Sequence, residues 1–458
     1  MRNLLIALTA VATLTACGKD EQVTQTQVPA STETTRVAET APEQSASERL
    51  NEWFELRFEE QLQFSPISLT FMGRKERYDE VDDMSEAAED KQLVWQRGTV
   101  EEMEREFEYD KLTPEAKISY DIWKYQYENA AAGVEFRGSG YVYTQMQGAQ
   151  SMVHTLMINF HSVDDRSEME AYIKRIGGMS RALNQLTDRA QSYAENGVRP
   201  PRFAYEGVLD QAQKVVSGAP FDDTEDSAIW ADVRRKVDAL VEADKVSAKE
   251  AETLLEAASN ALLSQFKPAY DRLISWVETE IPKSDEIATG VGNFPNGEAF
   301  YNYQLASATT TDMSADEVHE LGLFEVARIR GEMEQIMYSI GFEGDLQEFF
   351  IFVRDSEQFY FPDTDDGRQE YIDAAEDKLA FIGQRLPEYF GILPKAPLEV
   401  KRVEAYREQD GAAQHYFPGT PDGSRPGVYY MHLSNMAEMP KGQLEVIAYH
   451  EGSPQPSL

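Results

Sequence analysis

From Leu50 onward, apolar residues return every three or four positions, the spacing that places them along one face of a helix. Local punctuation agrees with the period. Thr113-Pro114-Glu115 supplies an N-cap and a proline at the first helical position, and predicts a helix to about Ala132. Ser247 with Glu250 forms a capping box, after which Leu254, Leu255, Ala258, Leu262, Tyr270, Leu273 and Val277 hold one apolar face to about Thr279, with a kink expected at Pro268. A second box, Ser314 with Glu317, opens a long helix in which Val318, Leu321, Ile329, Met333 and Ile336 keep helical spacing until Gly341 stops it.

The period changes near Leu398. Segments 398–406, 414–417 and 427–433 are short β-branched or aromatic runs separated by Pro, Gly and Asp, and they predict a small sheet. Pro440 then opens a helix with Leu444, Ile447 and Ala448 facing inward and His450-Glu451 near its end. The fold class expected is mainly α: a large helical domain with a small β-sheet near its C-terminal end.

Composition narrows the function classes. The chain has 458 residues, with 43 Lys and Arg against 81 Asp and Glu, a net charge of −38 that excludes nucleic-acid or anionic-membrane binding through charge. Arg2, the apolar run 4–14 and Leu14-Thr15-Ala16-Cys17 form a bacterial lipobox, so residues 1–16 read as a lipoprotein signal peptide. Cys17 is the sole cysteine and the expected lipidation site, which would make the membrane a partner through the N-terminal lipid. Gly18 rather than Asp follows it, which in Gram-negative sorting points to the outer membrane, facing the periplasm. Segment 17–47, with scarcely any large apolar residue, then reads as the lipidated cysteine and a disordered tether spanning roughly 30 Å. The folded domain is placed at 48–458.

Candidate chemistry concentrates at His450-Glu451. An imidazole ligand next to a carboxylate base suits a zinc hydrolase, but hydrolytic zinc takes three protein ligands, and the second histidine of an H-E-x-x-H motif is replaced by Pro454. His319-Glu320 lies in a capped amphipathic helix and reads as a surface pair. His154 and His161, seven apart, could share a helix face and read as packed histidines. The run Asp363-Thr364-Asp365-Asp366-Gly367 departs from a calcium loop in its glycine position and lacks the bidentate Glu, so a capped loop is expected. Ser424 and Ser434 have no motif context for a nucleophile.

Tyr449 to Pro454 resembles the His-Glu-Gly-x-Pro-Gly-His-His motif of the bacterial family catalogued as domain of unknown function 885. Phe64-Ser65-Pro66 with Gly73, Asn196-Gly197-Val198 with Pro200, Pro295-Asn296-Gly297 through Leu323, and Ser424-Arg425-Pro426-Gly427-Val428-Tyr429-Tyr430 resemble family segments too. The resemblance implies a zincin-like, mainly α metallopeptidase fold, with a zinc ion in the full-length member and a peptide substrate. His450 would be a metal ligand and Glu451 the catalytic general base. Tyr429, Tyr430 and His432, on the strand before the motif, are the substrate-binding candidates, their facing left open by the unknown register. Where the family has Gly-His-His, this chain has Gln455-Pro456-Ser457-Leu458. The expectation is therefore a domain incomplete at its C-terminus, binding zinc weakly or not at all. The competing expectation is a non-catalytic helical envelope lipoprotein that binds a ligand or partner.

Overall fold

The computed structural model describes residues 44–146, 148–403, 408 and 412–452. The expectations for the signal peptide, Cys17 and most of the tether lie outside these residues. Ala46–Leu458 forms one unit.

The unit is mainly α, as the periodicity predicts. Its helices are α1 (Ala46–Leu62), α2 (Pro66–Phe71), α3 (Glu86–Glu106), α4 (Pro114–Gly133), α5 (Ala149–Asn159), α6 (Arg166–Glu195), α7 (Arg202–Val215), α8 (Ala228–Glu242), α9 (Ala248–Ala261), α10 (Lys267–Glu280), α11 (Gly297–Thr309), α12 (Ala315–Ser339), α13 (Leu346–Asp355), α14 (Asp365–Gly383) and α15 (Leu386–Tyr389). Strands β1 (Leu398–Arg402), β2 (His415–Phe417) and β3 (Gly427–Met431) follow, then α16 (Lys441–Gly452). None of the described helices is long and apolar enough to cross a membrane.

The caps act where the sequence puts them. Thr113 accepts from the Ala116 N–H at the start of α4, and both capping boxes form, at Ser247 and at Ser314. Thr364 caps α14 by accepting from the Gly367 N–H at 3.1 Å, so the acidic run is the start of a helix. Just before Pro268, where the sequence predicts a kink, the helix takes a π-helical turn, Leu262–Phe266, between α9 and α10. The Lys267 N–H reaches back to the Leu262 carbonyl, five residues away. The wider turn makes room for a ring that lacks an N–H and would collide with the carbonyl four residues back.

The largest core gathers around α6, where Ile176 and Leu183 meet Val233 of α8, Leu254 of α9 and Tyr270 and Leu273 of α10. Two polar constellations sit within it. The Arg175 guanidinium, fully buried, donates to the Glu80 carbonyl at 3.0 Å, to Thr70 Oγ1 at 2.6 Å and to His161 Nδ1 at 3.1 Å, and lies 4.8 Å from the Tyr78 ring centre. His161 follows the C-cap of α5, so it does not share a helix face with His154. Its Nε2 faces the Glu168 carbonyl at 3.1 Å, which fixes the proton on Nε2 and leaves Nδ1 to accept from arginine. Nearby, Asp232 accepts from Tyr172 at 3.0 Å and from the buried Lys236 ammonium at 2.6 Å.

The sheet has order β1-β3-β2, with β1 parallel and β2 antiparallel to β3. All three strands are observed, β1 and β3 ending earlier than the apolar runs suggest, at Arg402 and Met431. One face packs on α14 and α16 in a second core containing Tyr371, Ala375, Tyr429, Met431, Leu444 and Ala448. The opposite face meets the helical body. Phe417 lies 5.6 Å from Phe160, Phe160 lies 4.5 Å from Phe71, and Arg425 sits 5.2 Å over Phe160 while donating to the Phe71 carbonyl at 2.7 Å. Gly73, at φ +77, lets Thr420 approach so closely that a Cβ there would be 2.7 Å from its methyl group.

In α12 the structure departs from the amphipathic expectation. Of its 25 residues only Met337 is buried, while Leu321, Ile329, Met333 and Ile336 are all exposed. The spacing is helical, but among the described residues nothing covers the face.

Two outcomes are expected from these contacts. Arg425→Ala should cost about 1–3 kcal/mol in urea unfolding, because it removes the ring contact and leaves the Phe71 carbonyl short of a donor. Burial, and then the Arg175 charge, push His161 down to about 3. The folded protein thus refuses a proton that the unfolded chain accepts below ~6.5. Stability should fall as pH drops from ~6.5 toward 5, by up to about 1.4 kcal/mol per pH unit from this group. Half-buried His154, itself pushed down to about 4, adds a slope of the same sign. His161→Gln should flatten, without abolishing, the dependence of urea midpoint on pH; an unchanged slope would remove His161 from the account.

Candidate functional site

Helix α16 places the two motif residues differently. Glu451 falls three residues after the buried Ala448 and seven after the buried Leu444, on the face turned toward the sheet, and it is half-buried. His450, one step round the helix, is exposed. Gly452 closes the helix against Leu379 of α14 and Leu398 of β1. A Lys378 to Glu445 pair at 2.7 Å joins α14 to α16.

The register fixes the facing of the strand residues. Tyr429 is fully buried on the α16 side, where its hydroxyl donates to Gln414 Oε1, and Gln414 Nε2 in turn reaches the Tyr371 hydroxyl at 3.4 Å. Burial, with Tyr371 and Glu451 nearby, pushes the Tyr429 phenol well above its usual range. Its proton therefore stays on and is committed to Gln414 Oε1. Tyr430 lies on the opposite face, and by alternation along the strand so does His432. There His415 stacks 5.4 Å from Tyr430 and lies tilted 5.5 Å from His432, with Phe417 5.5 Å from Tyr430. Glu408 accepts from the Leu433 N–H at 2.6 Å and is held below the usual carboxylate range, mainly by Arg402.

The sheet thus divides the five candidates. Glu451 and Tyr429 lie on the same side of the sheet, His450 is exposed one step round α16, and Tyr430 with His432 belong to an aromatic and imidazole cluster across the sheet. Tyr371, Gln414 and His415 were not singled out from sequence. Tyr371 does carry a signal, since Tyr371, Ala375 and Leu379 recur every four residues along α14; its approach to Tyr429 is a tertiary event.

Beside Gly452 runs a groove of about 770 Å³ between α14, α15 and the outer edge of β1, lined by Leu379, Ile382, Leu386, Leu393, Leu398 and Val400. Among the described residues no group of three His, Cys, Asp or Glu side chains is placed to hold a metal ion. One imidazole and one carboxylate do not fit the three-ligand requirement of hydrolytic zinc.

The class defined by these observations is a mainly helical protein whose small three-stranded sheet backs a C-terminal His-Glu helix. The chain belongs to the family described as bacterial protein of unknown function (DUF885), matched over residues 66–454. A similar fold is found in the crystal structure of "the putative lipoprotein from Colwellia psychrerythraea", at a TM-score of 0.77 and 20% identity, covering 90% of this chain and 72% of that one. No curated protein is significantly similar in sequence.

Tyr429→Phe should destabilise the protein by about 1–2 kcal/mol, since it strips Gln414 of a buried donor. Urea unfolding checks this; a cost below ~0.3 kcal/mol would mean that the Tyr429 to Gln414 bond contributes no net stability.

Proposed function

We propose that these residues are the larger part of a lipid-anchored, outer-membrane, periplasm-facing hydrolase of peptides whose metal site is completed by residues outside the chain. The observation carrying this reading is the placement of half-buried Glu451 on the face of α16 that is turned toward the sheet, in a chain of this family. His450 is assigned as one zinc ligand of the complete protein and Glu451 as the general base. Zinc in such sites supplies a water of lowered pKa. The anchor is supported by Leu14-Thr15-Ala16-Cys17 and by a fold shared with a protein described as a lipoprotein.

A second reading, a non-catalytic envelope lipoprotein, is favoured by one observation. The apolar groove beside β1 would suit an extended apolar segment laid along the strand edge, with no chemistry required.

Metal content separates the two readings. The purified 458-residue chain should retain less than about 0.1 equivalent of zinc after dialysis, consistent with its short ligand set. The product of the gene resequenced past the codon for Pro454, if it restores two histidines and a downstream glutamate, should hold one zinc and cleave peptides in a chelator-sensitive way. Glu451→Gln should then lower kcat by roughly 10²–10⁴. A complete product with neither zinc nor peptidase activity would leave the binding reading.

A further inference from the structure

Strand β1 presents an open edge. It pairs with β3, and the bonds at its two ends, from the Gly427 N–H to the Pro397 carbonyl and from the Val403 N–H to the Met431 carbonyl, both at 2.9 Å, turn residues 397 and 403 toward that partner. Backbone groups along a strand alternate between its two edges, so those of Leu398 and Val400 point away from β3. Among the described residues nothing bonds to them. An edge with free N–H and C=O groups is a template for another extended chain.

The surroundings of the edge suit such a chain. Leu398 and Val400 share a face of β1 and pack at the margin of the second core. From there the groove of about 770 Å³ continues over Leu379 and Ile382 of α14 and Leu386 of α15, a size usual for ligand pockets. Tyr416 of β2 lines the same groove from across β3, which Gly427 permits, since a Cβ there would be 2.7 Å from the Tyr416 ring. The charged side chains lining the groove are Glu376, Glu399 and Lys401, and the last two pair with each other, which leaves one negative charge at Glu376. A second copy, itself of net charge −38, would approach this edge against like-charge repulsion, whereas a short basic peptide is drawn to it.

We propose that the outer edge of β1 is a docking site for an extended peptide of another protein, added as a further strand through the backbone of Leu398 and Val400. Residues directly opposite each other on neighbouring strands point to the same face. The two peptide residues facing Leu398 and Val400 are therefore apolar and sit over the α14 and α15 side of the groove, with a Lys or Arg beside them for Glu376. This rests on the reading that the ligand of this protein is a peptide, whether cleaved or only held.

The probe is a fluorescein-labelled peptide amide of sequence Lys-Val-Thr-Val-Thr, titrated with the purified 458-residue chain. Fluorescence anisotropy should rise and saturate. Two N-methylated versions separate strand addition from apolar contact, because alternate N–H groups serve opposite edges of an extended peptide: methylating one alternate set should weaken binding about tenfold or more, and methylating the other should leave it nearly unchanged. Leu386→Asp, which puts a charge in the groove wall, should weaken binding about tenfold, and Glu376→Lys several-fold at low salt, both with unchanged far-ultraviolet circular dichroism. The proposal is overturned if anisotropy does not saturate by about 1 mM peptide or chain, if both or neither of the N-methylated versions lose binding, if the substitutions leave binding unchanged, or if sedimentation velocity shows a dimer that Leu386→Asp dissolves. Binding that behaves as expected, with no zinc and no cleavage by the complete product, keeps the docking site and removes the hydrolase reading. A complete product that cleaves peptides while the groove substitutions alter neither binding nor cleavage does the reverse.

Discussion

The contact between Arg425 and the Phe160 ring, completed by its hydrogen bond to the Phe71 carbonyl, joins the sheet to the helical body across 354 residues of sequence. A guanidinium suits this joint because its flat face stacks on an aromatic ring while its edge donates, and Phe71 at the end of α2 offers both a ring and a free carbonyl. The close approach of Thr420 to Gly73 sets the distance. The family-like segments Phe64 to Gly73 and Ser424 to Tyr430, far apart in the chain, are thus two halves of one joint, which holds the start of β3 against the helical body.

Within the helical body, charge is handled by neutral acceptors as well as by ion pairs. Arg175 is held by carbonyls, a hydroxyl and a neutral imidazole, and the largest effect on it is burial, which pushes it down to about 10. Such an arrangement tolerates the charge only while every donor is occupied, which ties α6 to the loop before α3 and to His161. The interior is therefore specified by polar geometry as well as by apolar volume. The acid-sensitive imidazole is one consequence of that solution.

At the candidate site, the sheet acts as a partition. One face carries the phenol and carboxylate, the other a cluster of two imidazoles with Tyr430 and Phe417. Helix α16 packs on the first face, so Glu451 shares its side of the sheet with Tyr429 rather than with Tyr430 or His432. Among the described residues, the groove at the end of α16 and the exposed apolar residues of α12 leave apolar surface uncovered.

Helix positions, caps and the three strands were legible because they depend on local periodicity and on hydrogen bonds between near neighbours: Thr113, Ser247 and Ser314 cap where a short window predicts. The His-Glu pair and its place at the end of a helix were legible for the same reason. What only the tertiary structure decided is which side of an element meets which neighbour. It turned Tyr429 and Tyr430 to opposite faces, set a π turn before Pro268, paired Gln414 with both Tyr371 and Tyr429, and left most of the apolar spacing of α12 exposed among the described residues. Periodicity fixes that a face exists; burial of that face depends on another segment arriving, and that is a property of the whole packed chain.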